Sequence, residues 1–109
     1  MNEDRVFKAL ADASRRALLD RLKQRSGLTL GELCEGYAIS RQAVTKHIAV
    51  LEEAGLVVSE KVGRERHHFL NPLPIHAIAQ RWISTFEQPR LAQLSELVSQ
   101  LEAENDREG

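Results

Sequence analysis

A run of hydrogen-bonding side chains follows Ser40 and is the part of the sequence with the clearest chemistry. The run comprises Arg41, Gln42, Thr45, Lys46 and His47. Arginine and lysine neutralise phosphates, and arginine, glutamine and threonine also bond to base edges in the major groove. Residues three and four positions apart share one face of a helix, so these side chains would form a single surface. The run therefore predicts a helix that contacts nucleic acid; a merely solvated polar face is the alternative.

Further basic residues are placed where they can add to such a surface. Arg64 and Arg66 lie at the tip of a predicted hairpin, and Arg15 and Arg16 lie near the start of a predicted helix. The net charge is only -1, but seven basic residues lie between positions 5 and 25 against two acids, and six acids lie between 87 and 109 against two arginines. Because DNA responds to the local charge of a face, the small total does not exclude it.

The elements that must position these residues follow from apolar spacing and helix caps. Asp12 is the expected N-cap of a second helix that runs to about 25, after a first helix at 4–11. The first helix has an apolar stripe of Val6, Phe7, Leu10 and Ala11. Thr29 and Glu32 form a capping-box pattern that opens a short third helix, 30 to about 37. Ser40 is the expected N-cap of a fourth helix, 41–54, which Gly55 ends. Ser40 is also expected to contact a DNA phosphate.

The third and fourth helices are the elements of a helix-turn-helix, in which the second helix enters the major groove. Two β-rich runs follow, 56–62 and 66–70, around a loop that contains Gly63. A hairpin in this place is a wing. Beyond Pro72 and Pro74 a long helical region is expected, with a possible break near Pro89. The sequence thus predicts a mainly α fold with a small β-hairpin, a winged helix-turn-helix of order α-α-α-α-β-β-α, in a single domain covering 1–109.

The chain resembles the ArsR family of bacterial winged-helix repressors from about Val6 to Pro72, with a looser continuation through the last helix. The stretches that carry the resemblance are FKALAD with SRR (7–12, 14–16), SRQAVTKHI (40–48), LEEAGLV (51–57), GRER (63–66) and LNP (70–72). It implies a symmetric dimer built from the first and last helices, with its two recognition helices in successive major grooves. On this basis we expect a homodimeric repressor that binds an inverted-repeat operator in double-stranded DNA.

Apolar residues near both ends of the chain exceed what so small a core needs, which agrees with a dimer. We expect the helices within 1–11 and 74–104 to form its interface. The residues expected there are Phe7, Leu10, Trp82, Ile83, Phe86, Leu91 and Leu94. For any one of them, a place in the monomer core is the alternative.

The ligand sets for which the family is known are not found in this sequence. A thiolate site on the third helix needs at least two close cysteines, and only Cys34 is present. The family's other site pairs Asp and His on the last helix, but Pro74 stands where the aspartate would precede His76. We therefore expect no metal and no cofactor, and interpret Cys34 as a small buried apolar residue, with a redox-sensitive thiol as the alternative. The adjacent His67 and His68 point to opposite sides of a strand and are expected to be half-buried wing residues.

Other classes of protein fit the sequence less well. No phosphate-binding glycine loop or nucleophile motif is present, which argues against an enzyme. No apolar run reaches the roughly 20 residues of a membrane span, and the N-terminus does not have the pattern of a signal peptide, so we expect a cytoplasmic protein without a membrane partner. A winged helix that binds a protein instead of DNA stays an alternative, although such a surface would carry more apolar or acidic residues than Arg41 to His47 do.

Overall fold

The computed structural model describes residues 2–36, 38–83 and 88–108. Its elements are α1 (Glu3–Leu10), α2 (Ala13–Gln24), α3 (Leu30–Cys34), α4 (Arg41–Glu53), β1 (Val57–Val62), β2 (Glu65–Leu70), α5 (Leu73–Ile83) and α6 (Gln88–Glu108). This is the predicted mainly helical chain with one antiparallel hairpin, a winged helix-turn-helix. The helical region expected after the hairpin is described as α5 and α6, on either side of residues 84–87, and Pro89 lies in the first turn of α6. The chain divides into two compact units, residues 1–78 and 79–109, which are described separately.

The predicted helix starts are confirmed by their capping hydrogen bonds. The Asp12 carboxylate accepts from the backbone N–H of Arg15 at 3.1 Å, and the Ser40 hydroxyl accepts from that of Ala43 at 3.1 Å. Thr29 and Glu32 form both halves of a capping box at the start of α3. These side chains satisfy N–H groups that have no partner within the helix, so each start is determined locally.

The third helix ends earlier than the predicted position near 37, since its last helical residue is Cys34. Glu35 leaves the helix with an extended backbone, and Gly36 has a φ of 80°. The Arg21 guanidinium donates to the carbonyls of Leu33 and Glu35, which the shortened helix leaves without partners. An arginine from α2 thus ends α3, and the apolar periodicity of α3 could not show this.

The core of the first unit lies between α2, α3, α4 and the base of the hairpin. The residues buried there include Leu18, Leu19, Leu22, Leu28, Leu33, Val44, Ile48, Leu51, Leu56 and Val57. Cys34 is half-buried and packs against this core. Of the apolar stripe predicted on α1, Val6 is buried in the core, and Ala9 is buried beside it. Phe7 and Ala11 are exposed and Leu10 is half-buried.

Hydrogen bonds join the base of the hairpin to the core, and the tip of the hairpin is exposed to solvent. Val57 pairs with Leu70 and Ser59 with His68, and Gly63 opens the turn with a φ of 64°, which suits the first position of a two-residue hairpin turn. An isolated antiparallel bridge joins His68 to Leu28. The Asn71 amide donates to the carbonyl of Gly55 at 2.8 Å and ties the end of β2 to the end of α4.

Acid should weaken the fold through Glu32. Hydrogen bonds from Thr29 and the nearby charge of Arg25 hold the pKa of Glu32 below its ordinary value. A carboxyl with a lowered pKa in the folded state stabilises the fold above its ordinary pKa, and this contribution is lost as the pH falls through the lowered value. We expect the melting temperature of the parent to fall more steeply below about pH 4.5 than that of Glu32→Gln, which keeps the capping box but cannot titrate. The matched control is Glu60→Gln, which removes an exposed carboxylate on β1. If the melting temperatures of Glu32→Gln and the parent fell equally steeply in acid, the proposed role of Glu32 would be contradicted.

Candidate nucleic-acid interface

One face of α4 presents the predicted contact residues to solvent. Arg41, Gln42, Thr45 and Lys46 are exposed and line one shallow, open surface. The opposite face of the helix buries Val44, Ile48 and Leu51 in the core. Because burial of that face fixes the rotation of α4, the polar face is held outward as a rigid unit. The structure therefore brings together the four side chains that the sequence grouped.

Hydrogen bonds near the start of α4 limit the bonds that Ser40 and Thr45 can make with a ligand. The Thr45 hydroxyl donates to the carbonyl of Arg41 at 2.9 Å, so its proton is already in use. Thr45 can therefore accept a hydrogen bond or place its methyl group against a thymine methyl, but it is a poor donor. The Ser40 hydroxyl accepts the capping bond and stays exposed at the N-terminal end of the helix. Arg41, Gln42 and Lys46 supply donors on this face, and the Ser40 hydroxyl, which only accepts in the cap, can still donate its own proton.

Arg15, a predicted phosphate contact, lies mostly within the protein. Its Nε donates to the carbonyl of Ala9 at 2.8 Å, and its Nη2 donates to that of Lys8 at 2.9 Å. Arg16 donates to the carbonyl of Leu10 at 2.6 Å. The last carbonyls of a helix have no partner within it, so this pair of arginines completes the C-terminal end of α1. Sequence reasoning missed this function, although two adjacent arginines soon after a short helix are a signal for it.

His47 is half-buried, and Arg15 connects it to the other helices. Arg15 Nη1 lies 3.4 Å from Nδ1 of His47 and 4.0 Å from Oδ2 of Asp12. The bond from the backbone N–H of Arg15 is the main cause that lowers the pKa of Asp12, and the charge of Arg15 adds to it. The C-terminal end of α1 and the start of α2 are thus joined to α4 through one guanidinium. The exposed face of α4 and this part-buried contact lie on the same helix.

The wing carries Arg64 at its tip and Arg66 on β2, both exposed. Nη1 of Arg66 donates to the Ser59 hydroxyl at 2.9 Å across the hairpin. The base of the wing is held by two histidines, since Nδ1 of His67 contacts the carbonyl of Gly27 at 2.8 Å and Nδ1 of His68 contacts that of Leu28 at 2.9 Å. His67 is half-buried as expected, whereas His68 is buried.

The second unit carries an apolar face on α6. Leu94, Leu97, Val98 and Leu101 follow helical spacing and are each 46% to 51% exposed. Of the residues predicted for the dimer interface, Phe7, Trp82, Ile83 and Leu94 are exposed, Leu10 and Leu91 are half-buried, and Phe86 lies outside the described residues. Exposed apolar residues in a row, such as those on α6, suit contact with a partner.

Metal and membrane sites were sought in the described ranges. In residues 2–36, 38–83 and 88–108, no three His, Cys, Asp or Glu side chains lie close enough to hold a metal ion. In the same ranges no helix combines the length and the hydropathy that crossing a membrane requires.

Comparison with known proteins agrees with this geometry. A family model described as a helix-turn-helix domain matches residues 10–60. YuzN of Bacillus subtilis (strain 168), an uncharacterised HTH-type transcriptional regulator, is 43% identical over 88 residues, which are 75% of this chain and 96% of YuzN. The transcriptional repressor SdpR of the same organism is 33% identical over 66 residues, 61% of this chain and 72% of SdpR. The solved structure of an ArsR-like transcriptional regulator from Rhodococcus sp. RHA1 superposes with a TM-score of 0.66 at 31% identity, and the match covers 87% of this chain and 91% of that one.

The fold and the exposed polar face of α4 thus define a DNA-binding transcriptional regulator of the winged helix-turn-helix class. Within that class, the chain belongs to the ArsR family.

Proposed function

We propose that the protein is a homodimeric repressor that binds an inverted-repeat operator and blocks transcription of a neighbouring gene. The observation that carries this proposal is the exposed face of α4, where Arg41, Gln42, Thr45 and Lys46 lie together on a helix whose other face is fixed in the core. A helix presented in this way fits the major groove. The relative SdpR is named a transcriptional repressor, which supports the same direction of control.

The dimer is supported by the exposed apolar residues at both ends of the chain. Phe7 on α1, Trp82 and Ile83 on α5 and Leu94 on α6 are each about half exposed. Two copies related by a twofold axis would cover such residues and present two α4 helices to half-sites about one helical turn apart. The interface within 1–11 and 74–104 and the one-domain organisation of 1–109 are part of this proposal.

The experiment that tests the proposal selects duplexes from a random pool with the purified protein. We expect an inverted repeat whose half-site centres lie about 10 base pairs, or a multiple of this, apart. The logarithm of the affinity for the selected duplex should fall steeply with the logarithm of the salt concentration, because Arg and Lys contacts release counterions. A single half-site in the selected pool would contradict the dimer, and a shallow salt slope would favour a protein partner.

Two alanine variants should separate base recognition from backbone contact. Gln42→Ala removes an amide that can bond to a base edge, so we expect a loss of about 1–3 kcal/mol for the selected duplex with nonspecific binding unchanged. Arg64→Ala removes a charge at the wing tip, so we expect weaker binding to specific and nonspecific duplexes alike and a salt slope smaller by about one.

Gel-shift titrations on the selected duplex and on a scrambled duplex at several salt concentrations measure both effects. Gln24→Ala is a control, because Gln24 is exposed at the end of α2 and outside the proposed surface. Parental binding by both variants would contradict the proposed docking.

A further inference from the structure

The contact between Arg15 and His47 determines which nitrogen of the His47 ring carries its proton. A guanidinium has only donors, so it makes a favourable contact with an imidazole nitrogen only where that nitrogen holds a lone pair. Arg15 Nη1 lies 3.4 Å from Nδ1 of His47. Nδ1 must therefore be the acceptor, and the proton of the neutral ring is on Nε2. Protonation of Nδ1 would place two donors against each other.

Arg15 is itself held in place and does not adapt to the ring. Its Nε and Nη2 are bonded to the carbonyls of Ala9 and Lys8, and its side chain is only 15% exposed. The Asp12 carboxylate, 4.0 Å from Nη1, balances its charge. Since three groups from α1 and the start of α2 fix the guanidinium, the orientation of its remaining N–H toward α4 is part of the fold.

The other nitrogen of His47 has no partner among the residues that the structure describes. Within the described ranges, Nε2 of His47 makes no hydrogen bond or ion pair. The ring is half-buried beside Lys46, on the helix whose exposed face we propose to meet DNA. The Nε2–H of His47 is unpaired among the described residues, and Arg15 orients its ring. This N–H can therefore donate to an acceptor on another molecule.

We propose that Arg15 is a positioning residue that fixes His47 as a donor, and that Nε2–H of His47 bonds to an acceptor on operator DNA, either a phosphate oxygen or a purine N7. This inference rests on the proposed function for its DNA partner. Arg15 then contributes to recognition through His47 and not through a phosphate contact of its own. The same guanidinium holds the end of α1, so the first helix and the DNA-contacting helix share one fixed group.

Nuclear magnetic resonance of the imidazole nitrogens tests the tautomer in the free protein. We expect the neutral ring of His47 to be protonated at Nε2. His67 and His68, whose Nδ1 atoms contact backbone carbonyls, should be protonated at Nδ1 and serve as internal contrasts. In Arg15→Met, the resonance of His47 Nδ1 should shift toward that of an unbonded nitrogen while those of His67 and His68 stay unchanged. A His47 protonated at Nδ1, or an unchanged Nδ1 resonance in Arg15→Met, would overturn the proposal.

Two substitutions of His47 test the DNA contact without disturbing α1. The amide nitrogen of glutamine lies near the position of imidazole Nε2, whereas that of asparagine lies near Nδ1. We expect His47→Gln to bind the selected duplex within about threefold of the parent and His47→Asn to bind about tenfold more weakly, the size of one hydrogen bond in each subunit. A matching loss on scrambled duplex identifies a phosphate as the acceptor, and a loss confined to the selected duplex identifies a base.

Equal losses for the two variants, or a greater loss for His47→Gln, would overturn the Nε2 assignment. Failure of the proposed function gives a different result, because the parent would then bind no selected duplex although the tautomer of His47 is as expected.

Discussion

Lys46→Glu is expected to weaken operator binding by at least a hundredfold. The substitution removes a positive charge from the exposed face of α4 and places a carboxylate against phosphates, and like charges brought together cost several kcal/mol. In a homodimer the change occurs in both subunits, so the penalty is applied twice. A factor of one hundred corresponds to about 2.8 kcal/mol, which is well within this range. Lys46 is exposed, so the fold should tolerate the change.

The matched control for this variant is Lys23→Glu. Lys23 is exposed near the end of α2, and its reversal alters the net charge by the same amount. At 0.15 M salt a charge more than about 8 Å from the DNA is largely screened, so we expect only a small loss of affinity. Titrations of both variants at several salt concentrations, with melting temperatures to verify folding, make the comparison. Equal losses would show that α4 has no special contact, and parental affinity in Lys46→Glu would remove α4 from the interface.

Leu97→Glu is expected to convert the protein to a monomer and to abolish tight operator binding. Leu97 lies in the middle of the apolar face of α6, and a carboxylate buried there without a partner would be strongly unfavourable. A monomer binds one half-site at a time and loses the advantage of two linked contacts, which is worth 10² to 10⁴ in affinity. The exposed position of Leu97 means that the isolated chain loses little when it is replaced.

Ala103→Glu provides the control on the same helix. At 3.6 residues per turn, Ala103 lies on the side of α6 opposite the apolar face, and it is exposed. We expect Ala103→Glu to remain dimeric and to bind the operator like the parent. Sedimentation velocity measures the oligomeric state, and gel shifts with one and two half-sites measure the linked contacts. A dimeric Leu97→Glu would show that α6 is not the interface.

The structure gives Arg15 two tasks that act on the same region. It completes the end of α1 through the carbonyls of Lys8 and Ala9, and it contacts His47 on α4. If α1 is part of the dimer interface as we propose, the group that ends the interface helix also orients a side chain on the DNA-contacting helix. The experiments on Arg15 and His47 therefore also test whether Arg15 connects the proposed dimer interface on α1 with the proposed DNA-contacting face of α4.

The elements of this fold were predictable because their starts and periodicities are local. Asp12, Ser40 and the Thr29–Glu32 pair cap the helices that the sequence assigned to them, since a cap needs only neighbouring residues. The exposed face of α4 followed from the same logic, because the burial of Val44, Ile48 and Leu51 leaves one polar side. The wing followed from two β-rich runs and Gly63.

The class of protein, the helix starts and the polar surface of α4 could thus be predicted before the structure, because each depends on residues within a few positions of one another. The early end of α3, the burial of Val6 and Ala9 in place of Phe7, and the position of Arg15 between α1 and α4 became visible only in the folded chain. Two of these features arise because an arginine bonds to carbonyls or a lone pair on another helix, and the third arises because α1 packs one particular side against the core. The angle at which the helices cross decides which unpaired carbonyl lies within reach of which arginine. The spacing of residues along the sequence does not contain that information.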